Sequence, residues 1–193
     1  MKPGRALCAI LCFAASLSAA SPGRSSSLAF NDLDGVARYP LEPAEKVASV
    51  LLFYWQDCPV CNSYAPEINR LCARYTNFAF YIVQVDPDLA REAAKDHARE
   101  YDLHAPVLLD PQHRLVKLAR ATVTPEAVVF GKKDRVLYQG RIDDLYAALG
   151  KKRAAATQYD LRAALDAIAA RKPVQEKKTK AIGCSIPAAA SNR

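Results

Sequence analysis

Two cysteines separated by two residues, in Cys58-Pro59-Val60-Cys61, carry the most specific chemical signal in this 193-residue chain. An apolar run precedes them and an amphipathic run follows, so the pair is predicted to sit between a buried strand and the start of a helix. A thiol at a helix N-terminus faces unpaired backbone N–H groups and the positive end of the helix dipole. Both favour the thiolate, the form that attacks disulfides and binds soft metals. Two intervening residues let the sulfurs meet across the first turn. Cys58 is therefore expected to be exposed and to attack, and Cys61, a turn deeper, to resolve the mixed disulfide. The plainer alternative is a structural disulfide or two inert thiols.

The other candidate groups are less tightly specified. Cys72 lies eleven residues after Cys61, about three turns along the same helix. It cannot reach Cys61 and is expected to be a small buried hydrophobe. Cys184 follows the last helical pattern. It is either a third redox thiol, returning to Cys58 or pairing with Cys72, or an exposed tail cysteine. Glu126 is a candidate proton shuttle, or simply a polar residue where a turn meets a strand. Arg141, Asp143 and Asp144 are expected to form a buried ion pair that closes a loop. His97, His104 and His113 are scattered, and His97 is expected to face water from a charged helix. A Cys58, Cys61 and histidine set for a soft metal such as copper is the non-enzymatic alternative. No resident cofactor or metal is expected.

Buried strands are predicted at 47–54 and 78–85, both nearly all apolar. Between them Val60, Tyr64, Ile68, Leu71 and Tyr75 recur at helical spacing over 59–75. A charged helix over 89–101, a short strand over 107–109 and a short helix over 114–121 follow. Strands over 127–130 and 135–139 flank the turn residues Gly131-Lys132-Lys133-Asp134, the mark of a hairpin. Residues 140–150 read as loop. Leu161, Ala164, Leu165 and Ile168 mark a last helix over 159–171, ended by Pro173. This order implies an α/β protein with a central mixed β-sheet flanked by helices on both faces.

Charge and composition place four regions along the chain. Residues 1–20 read as a cleaved signal peptide: Lys2 and Arg5, then the uncharged Ala6 to Leu17, then Ser18-Ala19-Ala20. Cys12 lacks the small neighbours of a lipid-anchored cysteine. Residues 21–46 read as an extended lead-in, 47–172 as the folded domain and 173–193 as a basic, solvated tail. The net charge is +7, but the span from Ser21 to Ala170 carries 19 residues of each sign. The excess sits at the two ends, which argues against a nucleic-acid partner. No uncharged run after the signal is long enough to cross a membrane. Export to the periplasm or beyond the cell would place the cysteines where disulfides persist.

With these residues in view, the span from about Val47 to Ala170 resembles the thioredoxin superfamily. Pro66 lies eight residues after Cys58, where thioredoxins carry a helix proline. Thr124-Pro125, just before a strand, matches the cis-proline that faces the two cysteines and shapes the groove where substrate backbone docks. Pro106-Val107-Leu108-Leu109-Asp110, Thr124-Pro125-Glu126 and Tyr138-Gln139-Gly140-Arg141-Ile142-Asp143-Asp144 look like the redoxin and thiol-specific-antioxidant branch. Exported bacterial redoxin-domain proteins of this kind end in a Gly-Cys-x-Ile segment, here Gly183-Cys184-Ser185-Ile186. The resemblance implies a thioredoxin-like fold and a thiol–disulfide oxidoreductase acting on protein thiols and disulfides with a redox partner, Thr124 and Pro125 contacting substrate. Peroxide reduction is the runner-up, together with the copper-binding or redox-sensing module. The chain departs from thioredoxin proper in having Leu52 where a buried Asp stands. It also lacks the peroxidase Pro-x-x-x-Thr-x-x-Cys box: counted back from Cys61, Cys58 and Tyr54 occupy the Thr and Pro places, and from Cys58, Trp55 and Leu51 do.

Overall fold

The computed structural model describes residues 28–189. The expected signal peptide and Cys12 lie outside them. In chain order the elements are β1 (Phe30–Asn31), β2 (Ala37–Arg38), β3 (Ser49–Tyr54), α1 (Pro59–Arg74), β4 (Ala79–Gln84), α2 (Arg91–Glu100), β5 (Val107–Leu109) and α3 (Arg114–Ala119). They continue with β6 (Val123–Thr124), β7 (Glu126–Phe130), β8 (Val136–Gly140), β9 (Tyr146–Ala148), β10 (Lys151–Lys152), α4 (Asp160–Ala169) and β11 (Cys184–Ser185).

The central sheet has the order β5-β4-β3-β7-β8. Strands β3, β4 and β5 run parallel, while β7 is antiparallel to both β3 and β8. It is the mixed sheet the element order implies. Every residue of β3 is buried, because the strand is central and covered on both faces. Alternation along it divides the core in two. Val50, Leu52 and Tyr54 pack with Tyr64, Ile68 and Leu71 of α1, Ala94 of α2, and Leu161 and Leu165 of α4. Leu51 and Phe53 pack with Leu115, Val116 and Ala119 of α3, and with Phe30 and Leu41 from the lead-in. Helices thus cover both faces of an α/β, thioredoxin-like sheet.

Three regions differ from expectation. The lead-in is held against the sheet: Asp32 bridges to Leu108 beside β5, and Arg91 donates to its carbonyl at 2.5 Å. The stretch read as loop contains the β9–β10 hairpin. The tail after α4 does not simply trail into solvent. Its Lys177 carbonyl accepts from Gln139 N–H at 2.9 Å, Thr179 N–H donates to Gln139 at 3.0 Å, and β11 pairs antiparallel with β6. These contacts join residues distant in sequence and leave no periodicity in the short segments that make them.

Candidate active site

Strand β3 ends at Tyr54, and a tight turn closed by Cys58 N–H donating to the Trp55 carbonyl at 3.0 Å leads into α1. Cys58 is the N-cap of α1, in extended conformation (φ −88°, ψ 111°), and Pro59 opens the helix. Proline suits that position because its missing N–H would have had no helical partner. Pro66 lies inside the same helix.

Cys58 is bonded to Cys184 as a disulfide with Cα atoms 6.0 Å apart, and Cys61 and Cys72 are free. This changes two expectations. Cys58 is not exposed: it is completely buried, because the tail lies over it. Its partner is the distant Cys184 and not Cys61. The second cysteine, also fully buried, keeps its thiol; burial pushes its pKa up to about 12, partly offset by hydrogen bonds from the Trp55 backbone and the Thr124 side chain. Half-buried Cys72, likewise raised to about 11 by burial, packs against the core as expected.

The Thr124-Pro125 peptide bond is cis, as the resemblance implied. The Thr124 carbonyl oxygen lies 3.4 Å from Cys58 Sγ. Cys184 stands opposite Thr124, and Ser185 opposite Val123, in the β11–β6 pair. Ile186 N–H donates to the Thr122 carbonyl at 3.3 Å, and the Thr124 hydroxyl reaches the Cys184 carbonyl at 3.5 Å. The candidate residues Cys58, Cys61, Thr124, Pro125 and Cys184 therefore meet at one place. Glu126 serves the same loop differently. Its carboxylate accepts from Thr122 N–H at 3.0 Å and from Gln139 Nε2 at 2.9 Å. Both oxygens are engaged in bracing the loop before β7, and neither is hydrogen-bonded to a sulfur.

Other polar expectations are redistributed. His97 is buried, not solvent-facing. Its Nε2 donates to Asn62 Oδ1 at 3.0 Å, Asn62 Oδ1 also accepts from Tyr54 Oη at 2.8 Å, and Asn62 Nδ2 donates to the Gln56 carbonyl at 2.9 Å. This network starts one residue beyond Cys61, and its one trace in the sequence is the polar Asn62 in the first turn of the helix. Burial lowers the His97 pKa, with Glu100 and Asp57 opposing, which fits a neutral ring. Arg141, Asp143 and Asp144 do not pair with one another. Arg141 joins Asp160 at 2.7 Å, Asp143 accepts from Tyr64 Oη at 2.6 Å, and Asp144 caps the turn at Thr157 and Gln158. Burial raises the Asp143 pKa against the Tyr64 hydrogen bond; the Thr157 hydroxyl and Gln158 N–H hold Asp144 well below the usual carboxylate range. Three carboxylate and guanidinium groups close in sequence find three different partners across the fold. His113 Nε2 faces the Val85 carbonyl and His104 faces Asp102. Among the described residues no group of three or more His, Cys, Asp or Glu side chains is arranged to hold a metal.

A cysteine-bearing helix start, a cis-proline loop beside it and a mixed sheet behind both are thus in place. The family model described as AhpC/TSA matches residues 27–139. The chain belongs to the AhpC/TSA family. A thiol-disulfide oxidoreductase ResA of Bacillus thuringiensis subsp. konkukian (strain 97-27) is 26% identical over 95 residues, 49% of this chain and 55% of that protein. The chain thus spans about half the length of the curated relatives it matches. An uncharacterized conserved protein of Geobacillus kaustophilus superposes with a TM-score of 0.73 at 28% identity, over 85% of this chain and 89% of that one. A secreted Mycobacterium tuberculosis disulfide oxidoreductase homologous to Escherichia coli DsbE superposes with a TM-score of 0.53 at 18% identity, over 75% and 96% of the two chains. The last likeness is one of fold, and it is the thioredoxin-like fold described above.

Proposed function

We propose that this AhpC/TSA-family chain is an exported thiol–disulfide oxidoreductase acting on protein thiols and disulfides. The observation that carries the reading is the Cys58–Cys184 disulfide at the start of α1, beside the cis Thr124-Pro125 bond. The ResA likeness supports the same chemistry. The residue pattern of 1–20 supports export to the periplasm or beyond the cell, and 47–172 would form the working domain.

Cys58 is the exchanging sulfur. When reduced, it sits at the N-terminus of α1, where orphan N–H groups and the helix dipole favour its thiolate. Cys61 and Cys184 are its two alternative partners. From the Cys58–Cys184 form, the Cys61 thiolate attacks Cys58 Sγ, a Cys58–Cys61 bond forms, and Cys184 leaves as a thiolate that takes the proton Cys61 gave up. No electrons enter or leave. A substrate thiolate then attacks Cys58 Sγ and expels Cys61. A second substrate thiolate attacks the substrate sulfur of that mixed disulfide and expels Cys58. The substrate gains a disulfide, and the protein gains the two electrons. Run in reverse, the same steps reduce a substrate disulfide, and an external dithiol or disulfide partner resets the cysteines. Thr124 and Pro125 hold the substrate backbone beside Cys58.

Insulin reduction with a dithiol supply tests this reading. Cys58→Ser is expected to abolish turnover, and full activity in that variant would overturn it. Consumption of hydrogen peroxide without disulfide exchange would favour the peroxidase reading instead.

A further inference from the structure

Among the described residues, strand β6 pairs only with the tail: β6 and β11 form a two-stranded sheet of their own, beside the main sheet. The tail reaches that edge with its cysteine opposite Thr124, its sulfur bonded to Cys58 and its next residues continuing along Val123 and Thr122. Three features of the bound segment are specific. A Cβ on Gly183 would fall inside the Thr124 carbonyl and 3.1 Å from the Pro125 nitrogen, so only glycine fits without moving the cis loop. The neighbour is backbone, which cannot rotate away. Cys184 supplies the sulfur. Ile186 packs against the cluster of Leu51, Phe53 and Val128 on the α3 face of the sheet.

The remainder of the tail is lightly held. Between α4 and Gly183 most residues are half-buried or exposed. This stretch is anchored at Val174, which packs against the core, at the Lys177 carbonyl, which accepts from Gln139 N–H at 2.9 Å, and at Thr179, whose hydroxyl meets Tyr138 Oη at 2.8 Å and whose backbone packs against Gly140. Past Thr179, the segment 180–189 is fixed mainly by what it does at the β6 edge. An extended segment that presents a cysteine to Cys58 and pairs with an otherwise free edge is held by the contacts an incoming peptide would use.

We propose that Val123–Thr124 is a peptide-binding edge whose built-in occupant is Gly183-Cys184-Ser185-Ile186, and that it selects extended protein segments in which glycine immediately precedes the cysteine and an apolar residue lies two positions after it. This rests on the oxidoreductase reading and names its substrate class. Entry requires the tail to leave. The Cys61 thiolate takes Cys58 from Cys184 as described above, the latch lifts about Thr179, and the incoming thiolate attacks Cys58 while Cys61 departs as thiolate and takes up the proton of the incoming thiol. The net change exchanges one thiol for another on Cys58, with no outside oxidant.

The test uses the full chain carrying Cys61→Ser and Cys184→Ser, with Cys58 capped as its nitrothiobenzoate mixed disulfide. Release of the coloured thiolate reports attack on Cys58. The probes are the octapeptide Ala-Ile-Gly-Cys-Ser-Ile-Pro-Ala, a version with Val for Gly and a version with Ser for the first Ile after the cysteine. Free Ellman's reagent normalises their intrinsic reactivity. The glycine peptide is expected to react about tenfold faster than the valine peptide, and the serine peptide to lie between. Equal rates for glycine and valine peptides overturn the proposal. Dithiothreitol release of the cap together with insulin turnover by the unaltered protein would leave the oxidoreductase reading standing in that case. Loss of insulin turnover with the peptide ratio intact would sink that reading and leave the edge. Gly183→Val in the otherwise unaltered chain is a second arm: the oxidised protein is expected to shift from Cys58–Cys184 to Cys58–Cys61 in disulfide mapping. An unshifted Cys58–Cys184 bond would contradict the steric basis of the selection.

Discussion

Cys58 joins two regions built in opposite ways. On one side are β3 and the first turns of α1, where every β3 residue is buried and Val60, Cys61, Tyr64 and Ile68 pack into the core. On the other is the segment from Pro173 to Ile186, charged and largely exposed, held by a few backbone bonds, Thr179 and one disulfide. The first region gains its position from apolar burial, the dominant favourable term in folding. The second gains it from a covalent bond that thiol chemistry can undo. The difference is between a cysteine fixed by core packing and a tail fixed largely by a reversible bond to it, and each experiment strains one side.

The largest effect is expected at the shared sulfur. Cys58→Ser should lower insulin reduction by about three orders of magnitude or more, the scale of losing a nucleophile. Cys184→Ser should keep turnover, because Cys61 remains. Loss of activity in both variants alike would make the cover part of the catalytic cycle.

The next effect separates the stabilising forces. Closing a loop with a sequence separation of 126 residues should stabilise the oxidised form by about 5 kcal/mol relative to the reduced one. Urea unfolding in each redox state reads this directly, and a chain ending at Lys180 should show no such difference. Leu52→Ala, at a fully buried β3 position, should cost about 3 kcal/mol in both states. A Leu52→Ala penalty that vanished on reduction would mean the two regions are not independent.

Smaller is the pH dependence of opening. With the Cys61 pKa raised to about 12 by burial, its thiolate fraction grows about tenfold per pH unit through the neutral range. Intramolecular transfer from Cys58–Cys184 to Cys58–Cys61, followed in acid-quenched samples, should accelerate about tenfold per pH unit, about a hundredfold between pH 7 and 9. A flat profile would exclude Cys61 as the attacking group.

The smallest effect concerns the scaffold beside Cys61. The His97 pKa is depressed by burial, so below the ordinary histidine range the unfolded chain binds a proton that the folded chain does not. Folding stability is then complete above the unfolded pKa of about 6.5 and declines as pH falls from there toward the folded value. His97→Phe should flatten that decline in pH-dependent melting. An unchanged slope would place its origin elsewhere.

Much of the rigid side was legible in the sequence. The apolar run ending in Tyr54, the helical spacing from Val60 to Leu71, and the alignment of Pro66 and Thr124-Pro125 gave the sheet, the helix and the loop beside the cysteines. These are local patterns, and burial on a regular element leaves a period. The tail left none. Cys184 stands out by its type and its Gly-Cys-x-Ile setting, which leave Cys58 and Cys72 both open as its partner. Its pairing with β6 involves two residues, and its path past Gln139 depends on contacts made across the fold. His97 misled for a related reason. Charged neighbours on α2 point to solvent, while Asn62 accepts a hydrogen bond from the ring and Tyr54 packs edge-on against it. Arg141, Asp143 and Asp144 show the same limit: opposite charges near in sequence were bound instead by Asp160, Tyr64 and Thr157.

The pairing of Cys58 is the centre of the account, and disulfide mapping by mass spectrometry of the oxidised full chain tests it most directly. A Cys58–Cys184 linkage within one chain, with Cys61 alkylatable only after unfolding, is the predicted result. A Cys58–Cys61 linkage with Cys184 free in the folded, oxidised protein would contradict it.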